Sequence, residues 1–235
     1  MNKGNLCVIP ARGGSKGIKN KNLKKIEGKS LLEISINEAL KSKIFDTIHV
    51  STESLNIKKE AQKFGIDFPF MRNKKLSKDS VHVAEVVYET ILNFKKKNIS
   101  FENVCLLMPT SPLRTNMHIK NAYKIFKKTD ADSLVSLSPL GKLETNLRTF
   151  KDKNYIKYYK DNIKRNQNRQ NTKELFSVNG SIYFSKISSF LKNKSFHIDK
   201  VIGYKMSSIH SIDVNSEEDL EIAKLLFKFS RSGNF

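Results

Sequence analysis

The residues best suited to chemistry lie near the N-terminus, in the stretch CVIPARGGSKGIKNKN, Cys7–Asn22. Gly13, Gly14 and Gly17 follow a short apolar run. Arg12, Lys16, Lys19 and Lys21 stand among or beside them, with Lys24 just after. Glycine lets the backbone come close to a ligand, and successive N–H groups can then form a concave anion site. Cations around such a turn add charge-assisted hydrogen bonds of about 1.5–3 kcal/mol each to phosphate oxygens. The pattern suits a polyphosphate, although the same composition also suits a solvated basic turn. Its glycine spacing is neither G-x-G-x-x-G nor G-x-x-x-x-G-K-[ST], which argues against a dinucleotide fingerprint and against a P-loop.

The surrounding elements determine where such a loop would sit. LCVIP (6–10), TIHVST (47–52), NVCLLMP (103–109), SLVSLSP (133–139) and VNGSIYFS (178–185) are short, rich in β-branched residues and bounded by turn formers, so they read as strands. Between them, segments 30–42, 54–65, 81–97 and 116–128 carry apolar residues at helical spacing. In the third, Val83, Val86, Val87, Thr90, Ile91 and Phe94 form one stripe. This alternation predicts an α/β fold, a Rossmann-like three-layer sandwich with a mainly parallel sheet covered on both faces. Ligands of such sheets bind beyond the carboxyl ends of the strands, which is where the glycine loop falls. Residues 140–175 break the rhythm, being polar, basic and dotted with Tyr155, Tyr158 and Tyr159, and read as a projecting β-arm or a long functional loop. Ser216 opens an S-x-x-D pattern ahead of a final helix. Residues 1–235 are otherwise expected to form one domain.

Composition limits the function classes. The chain has 235 residues, with 43 Lys and Arg against 23 Asp and Glu, a formal net charge of +20. The lysines are spread along the chain, so a solvated surface explains them better than a dedicated nucleic-acid face. RNA binding through the basic, tyrosine-bearing stretch 151–174 is the alternative from another function class. The two cysteines, Cys7 and Cys105, sit in apolar runs, as buried thiols of a reduced protein do. No run approaches the length of a membrane helix, and the N-terminal apolar stretch is too short for a signal peptide, so a cytoplasmic protein with no membrane partner is expected.

IPARGGSKGI followed by KN resembles the N-terminal signature of the cytidylyltransferases that activate nine-carbon α-keto acid sugars, the CMP-sialic acid synthetases and their legionaminic and pseudaminic acid relatives. The likeness continues in order through HVSTES (49–54), PFMR (69–72), LSKDS (76–80), LLMPTSPLR (106–114), NRQN (168–171), VNGSIY (178–183) and SIDVNSEEDL (211–220). It implies transfer of CMP from CTP to the anomeric hydroxyl of a nonulosonic acid, with pyrophosphate leaving. Arg12, Lys21 and Asp213 would then be catalytic. Ala11, Arg12, Gly13, Gly14, Ser15, Lys16, Lys21, Asn22 and Arg72 would bind CTP. Thr110, Ser111, Arg148, Arg169, Gln170 and Asn179 would receive the sugar, the arginines suiting its carboxylate because a planar guanidinium binds carboxylate bidentately. The family also implies Mg²⁺ on an Asp-x-Asp pair, here Asp213 and Asn215, and a homodimer in which 140–175 is the dimerisation arm.

Four departures from the family pattern bear on activity. Asn215 replaces the second carboxylate and brings no charge, which predicts weaker metal binding, a metal resting more on CTP, or a catalytically weakened homologue. Met108 stands where Gln is common and offers no comparable donor to a sugar. Glu53 replaces Asp, and Lys19-Asn20 replaces Pro-Arg, which removes a fixed φ from the loop.

Overall fold

A computed structural model describes residues 2–14, 17–140, 148–150, 156–158 and 174–231. Its main sheet has six strands: β1 (Asn2–Pro10), β4 (Thr47–Ser51), β5 (Ser100–Leu107), β6 (Ser133–Pro139), β9 (Phe176–Lys186) and β10 (Val201–Lys205). Their order across the sheet is β10-β6-β9-β5-β1-β4. β1 pairs in parallel with β4 and β5, and β6 with β10. β9 runs antiparallel to both β5 and β6. The expected mainly parallel sheet is thus present, with one reversed strand near its middle.

The period-two pattern of β1 explains the layers. Cys7 and Ile9 face one cluster, where α1 (Leu31–Ser42), α2 (Leu55–Gln62) and α4 (Asn116–Lys128) supply Leu32, Ile36, Ile57, Ile119 and Phe126. Leu6 and Val8 face the other, where α3 (Val83–Lys96) supplies Val87, Ile91 and Phe94, and α5 (Ile187–Asn193) supplies Phe190. Cys7 and Cys105 are register partners on adjacent strands, both buried and free.

Local chemistry sets the helix starts. Ser30 Oγ accepts the Glu33 N–H at 3.0 Å to cap α1. Ser216 and Asp219 cap α6 (Glu217–Arg231) reciprocally, with Asp219 N to Ser216 Oγ at 3.1 Å and Ser216 N to Asp219 Oδ2 at 2.8 Å. α6 packs on a third cluster that joins Ile18 of the glycine loop to Val214, Leu220, Ala223 and Phe227. It also buries Ile26 of β2 (Lys25–Ile26), which turns through Glu27 and Gly28, both at positive φ, into β3 (Lys29–Ser30). Within the expected arm, β7 (Arg148–Phe150) and β8 (Ile156–Tyr158) pair antiparallel; Tyr155 and Tyr159 lie outside the described residues. Among the described residues no helix is long and apolar enough to cross a membrane.

Candidate active site

At the carboxyl ends of β1, β4 and β5 lies a cleft of about 320 Å³. Arg12, Lys21, Asn22, Arg72, Thr110 and Asn215 all reach its wall, drawn from stretches far apart in sequence. Gly17 lines it too, and Val81, Val83, Val86 and Met108 make one side apolar.

The strands and their hydrogen bonds hold these groups in place. Ala11, wholly buried, continues the β1–β4 ladder by donating its N–H to Ser51 O at 2.9 Å; it does not line the cleft. Arg12 follows it and ion-pairs with Asp79 at 2.6 Å, while its Nη1 donates to Ser77 O at 3.4 Å. Asn22 folds back and donates Nδ2 to Arg12 O at 3.0 Å, bracing the loop. Glu53 closes it from the other side, accepting the Gly13 N–H and the Ser77 hydroxyl, each at 2.7 Å. The Gly13 amide, expected to face phosphate, therefore points at a carboxylate of the protein itself. Gly14 is exposed with open space about it.

Arg72 is buried and anchored to the end of β4, Nε to Ser51 Oγ at 3.0 Å and Nη2 to Ser51 O at 2.6 Å. Burial pushes its pKa down to about 10, so it remains charged at neutral pH. Lys21 also loses solvation, which lowers its pKa against the opposing pull of Asp213. Its ammonium donates to Val214 O at 3.0 Å and Asn215 Oδ1 at 3.2 Å. Asn215 in turn donates Nδ2 to Asp213 Oδ2 at 2.7 Å. Val214 N donates to Thr110 O at 2.8 Å, which ties this segment to the loop after β5.

Asp213 and Asn215 offer one carboxylate and one amide oxygen. Among the described residues no group of three or more His, Cys, Asp or Glu gathers into a metal cage. Such a sparse, hard-oxygen donor set fits an ion like Mg²⁺, which keeps several waters and takes other ligands from substrate phosphates.

Other expected site residues stand apart. Ser111 is buried and does not line the cleft. Asn179 is committed within the protein: Oδ1 accepts from the Ser136 hydroxyl and from Ser181 N, and Nδ2 donates to Ser211 Oγ at 2.8 Å and Met206 Sδ at 3.5 Å. That exhausts the capacity of an amide, so the side chain as placed has no hydrogen bond left for a sugar hydroxyl. Arg148 begins β7, while Ser15, Lys16, Arg169 and Gln170 lie outside the described residues.

Two further residues shape the site without having been foreseen as members of it. Asp79 holds Arg12; its only signal was an acid in the LSKDS block. Arg114, 2% exposed, donates to Met108 O and Ser181 O at 2.9 Å each and to Ser35 Oγ at 2.5 Å, locking the Met108–Thr110 wall onto β9 and α1. A charged residue closing the otherwise uncharged LLMPTSPLR block was the available clue.

Comparison with known proteins agrees with this geometry. A family model described as Cytidylyltransferase matches residues 6–226. The chain is 32% identical over 231 residues to the CMP-N,N'-diacetyllegionaminic acid synthase of Legionella pneumophila, covering 96% of this chain and 97% of that protein. It is 29% identical over 231 residues to the pseudaminic acid cytidylyltransferase of Campylobacter jejuni, covering 98% and 99%. In fold it resembles a CMP:2-keto-3-deoxy-manno-octonic acid synthetase solved in complex with CTP, with a TM-score of 0.72 at 15% identity, over 97% of this chain and 100% of that one. The match over nearly the whole chain, joined to a basic cleft at the strand ends, places this protein in the cytidylyltransferase family.

Proposed function

We propose that the chain transfers CMP from CTP to the anomeric hydroxyl of a nonulosonic acid and releases pyrophosphate. The observation that carries this reading is the convergence of Arg12, Lys21, Asn22, Arg72, Thr110 and Asn215, from four separate sequence blocks, on one cleft. The names of the full-length relatives support the acceptor class.

In this reading the sugar hydroxyl attacks the α-phosphorus, the bond to the β-phosphate oxygen breaks, and negative charge grows on the departing pyrophosphate. Arg12 meets that charge from the glycine loop, and Lys21 from beside Asp213. Fixed cations aimed at developing charge are worth more in a partly desolvated cleft than in water. Arg72, immobilised on Ser51, faces the nucleoside end, and Val81, Val83, Val86 and Met108 give an apolar wall for a flat ring or an acyl group. Thr110 offers a hydroxyl to the acceptor, and Arg148 and Arg169 suit its carboxylate by chemistry. Asp213 and the amide oxygen of Asn215 would hold Mg²⁺, which when bound neutralises phosphate charge.

The free, buried state of Cys7 and Cys105 supports a reducing, cytoplasmic setting. The family resemblance supports a homodimer formed through 140–175 within a single-domain chain.

The test is pyrophosphate release from CTP and Mg²⁺ across a panel of nonulosonic acids that includes legionaminic, pseudaminic and N-acetylneuraminic acids. At least one acceptor is expected to turn over, and Arg12→Ala is expected to lower that rate by about 10²–10³. No release with any acceptor overturns the reading.

A further inference from the structure

Asn215 is the residue on which this chain departs from a paired carboxylate, and its amide is used at both ends. Oδ1 accepts from the Lys21 ammonium at 3.2 Å, and Nδ2 donates to Asp213 Oδ2 at 2.7 Å. An amide can do both, accepting from a cation and donating to an anion across one side chain, whereas a carboxylate can only accept. A carboxylate at this position would keep the lysine contact and turn the other into repulsion. The backbone around the amide is fixed as well. Asn215 N donates to Asp219 Oδ2 at 2.9 Å, and a Cβ built on Gly17 would lie 2.5 Å from Asn215 O. The side chain on this backbone is exposed, so its amide can turn.

A divalent cation placed between residues 213 and 215 needs oxygen from both. To supply it, the amide must turn its Nδ2 away from Asp213 and its Oδ1 away from Lys21. The ammonium itself lies within hydrogen-bond reach of that oxygen and repels a second cation. A polyphosphate changes these terms, because it offers Lys21 stronger anionic partners and gives the metal the remainder of its shell.

We infer that Lys21 and Asn215 form a built-in competitor for the cation at Asp213, so that this chain binds a divalent metal only together with the polyphosphate of its nucleotide. The inference rests on reading the cleft as a nucleotidyl-transfer site and adds a condition to it: metal and nucleotide enter as one ligand.

Manganese alone is the probe, followed by the free-ion signal in electron paramagnetic resonance with the whole chain and no nucleotide. Wild type is expected to leave the ion free up to about 1 mM. Asn215→Asp, which restores a second charge, is expected to bind it about tenfold more tightly or better. Lys21→Met, which removes the competing cation and leaves the amide free to turn, is expected to gain about threefold. It serves as the second test if the first variant does not fold. Wild type binding manganese as tightly as Asn215→Asp overturns the inference, as does a Lys21→Met variant that binds no better than wild type. A separate calorimetric arm titrates CTP with and without Mg²⁺, and Mg²⁺ is expected to raise wild-type CTP affinity by about tenfold or more. An unchanged CTP affinity also overturns the inference. No CTP heat in either buffer counts instead against the nucleotide reading of the cleft and leaves the manganese comparison intact.

Discussion

Replacing Asp79 with Asn should make the protein bind CTP more tightly. Arg12 Nη2 lies 2.6 Å from Asp79 Oδ1, with the two side chains 30% and 39% exposed. If Arg12 serves the triphosphate, a phosphate oxygen must share or replace that carboxylate. Part of the binding energy then goes into the exchange. A pair as exposed as this one is worth roughly 0.2–1 kcal/mol, because water screens both partners and each long side chain loses rotamer freedom. Removing the charge while keeping the shape therefore predicts an affinity gain of about 1.5- to 5-fold, shrinking as salt is raised. Calorimetric titration of CTP into wild type and Asp79→Asn at low and high salt measures it. A variant that binds CTP about tenfold more weakly refutes the reasoning, since Asp79 would then be helping to present Arg12 rather than competing for it.

Gly17→Ala should cut turnover by about 10², because the new methyl would meet Asn215 O and push the loop away from Asp213 and Asn215; the Cβ built at Gly17 lies 2.5 Å from that oxygen. Pyrophosphate release close to the wild-type rate would show that the loop and residue 215 are not packed as described. His49 governs acid stability. Its ring is buried, with neither nitrogen hydrogen-bonded, and lies 4.5 Å from the Phe70 ring and 5.5 Å from Phe94. Desolvation first, then the Arg72 charge, lower its pKa from 6.5 to about 3. Between those values the unfolded chain binds the proton and the folded one does not, so stability falls as pH drops through that window and levels off below it. One such group contributes about 1.4 kcal/mol per pH unit, or about 2 kcal/mol between pH 6.5 and 5. His118, held at about 4 mainly by its own burial, adds a second contribution, so His49→Phe should flatten the slope without abolishing it. Urea denaturation at about pH 7 and about pH 5 compares the slopes, and equal slopes in the two proteins would rule the assignment out.

The sheet and its helices were legible because their signals are local. The alternation of Leu6 and Val8 against Cys7 and Ile9, and the stripe from Val86 to Phe94, depend only on neighbours within two turns or a few pleats. The reversal of β9 was not legible, since strand direction is set by partners such as Cys105 opposite Phe184, about which VNGSIYFS itself says nothing. The same divide runs through the site. The cationic loop showed itself in glycines and lysines. Its occupation by Glu53 and Asp79 depends on contacts 40 or more residues away. Asn179 was expected to receive the sugar, and the structure gives its amide to Ser136, Ser181, Ser211 and Met206.

The packing of α6 against the glycine loop also has a consequence in time. Lys21 reaches Val214 across 193 residues of chain, and Ile18 rests on Leu220, Ala223 and Phe227. At roughly 5–20 residues per second, synthesis of that interval takes about 10–40 s. During it β1, β4 and β5 can pair, and Glu53 and Asp79 can hold Gly13 and Arg12, while Lys21 and Ile18 still lack their partners around α6. The scaffold of this protein is therefore older than its cleft in every molecule made, and nucleotide has no finished seat until α6 arrives.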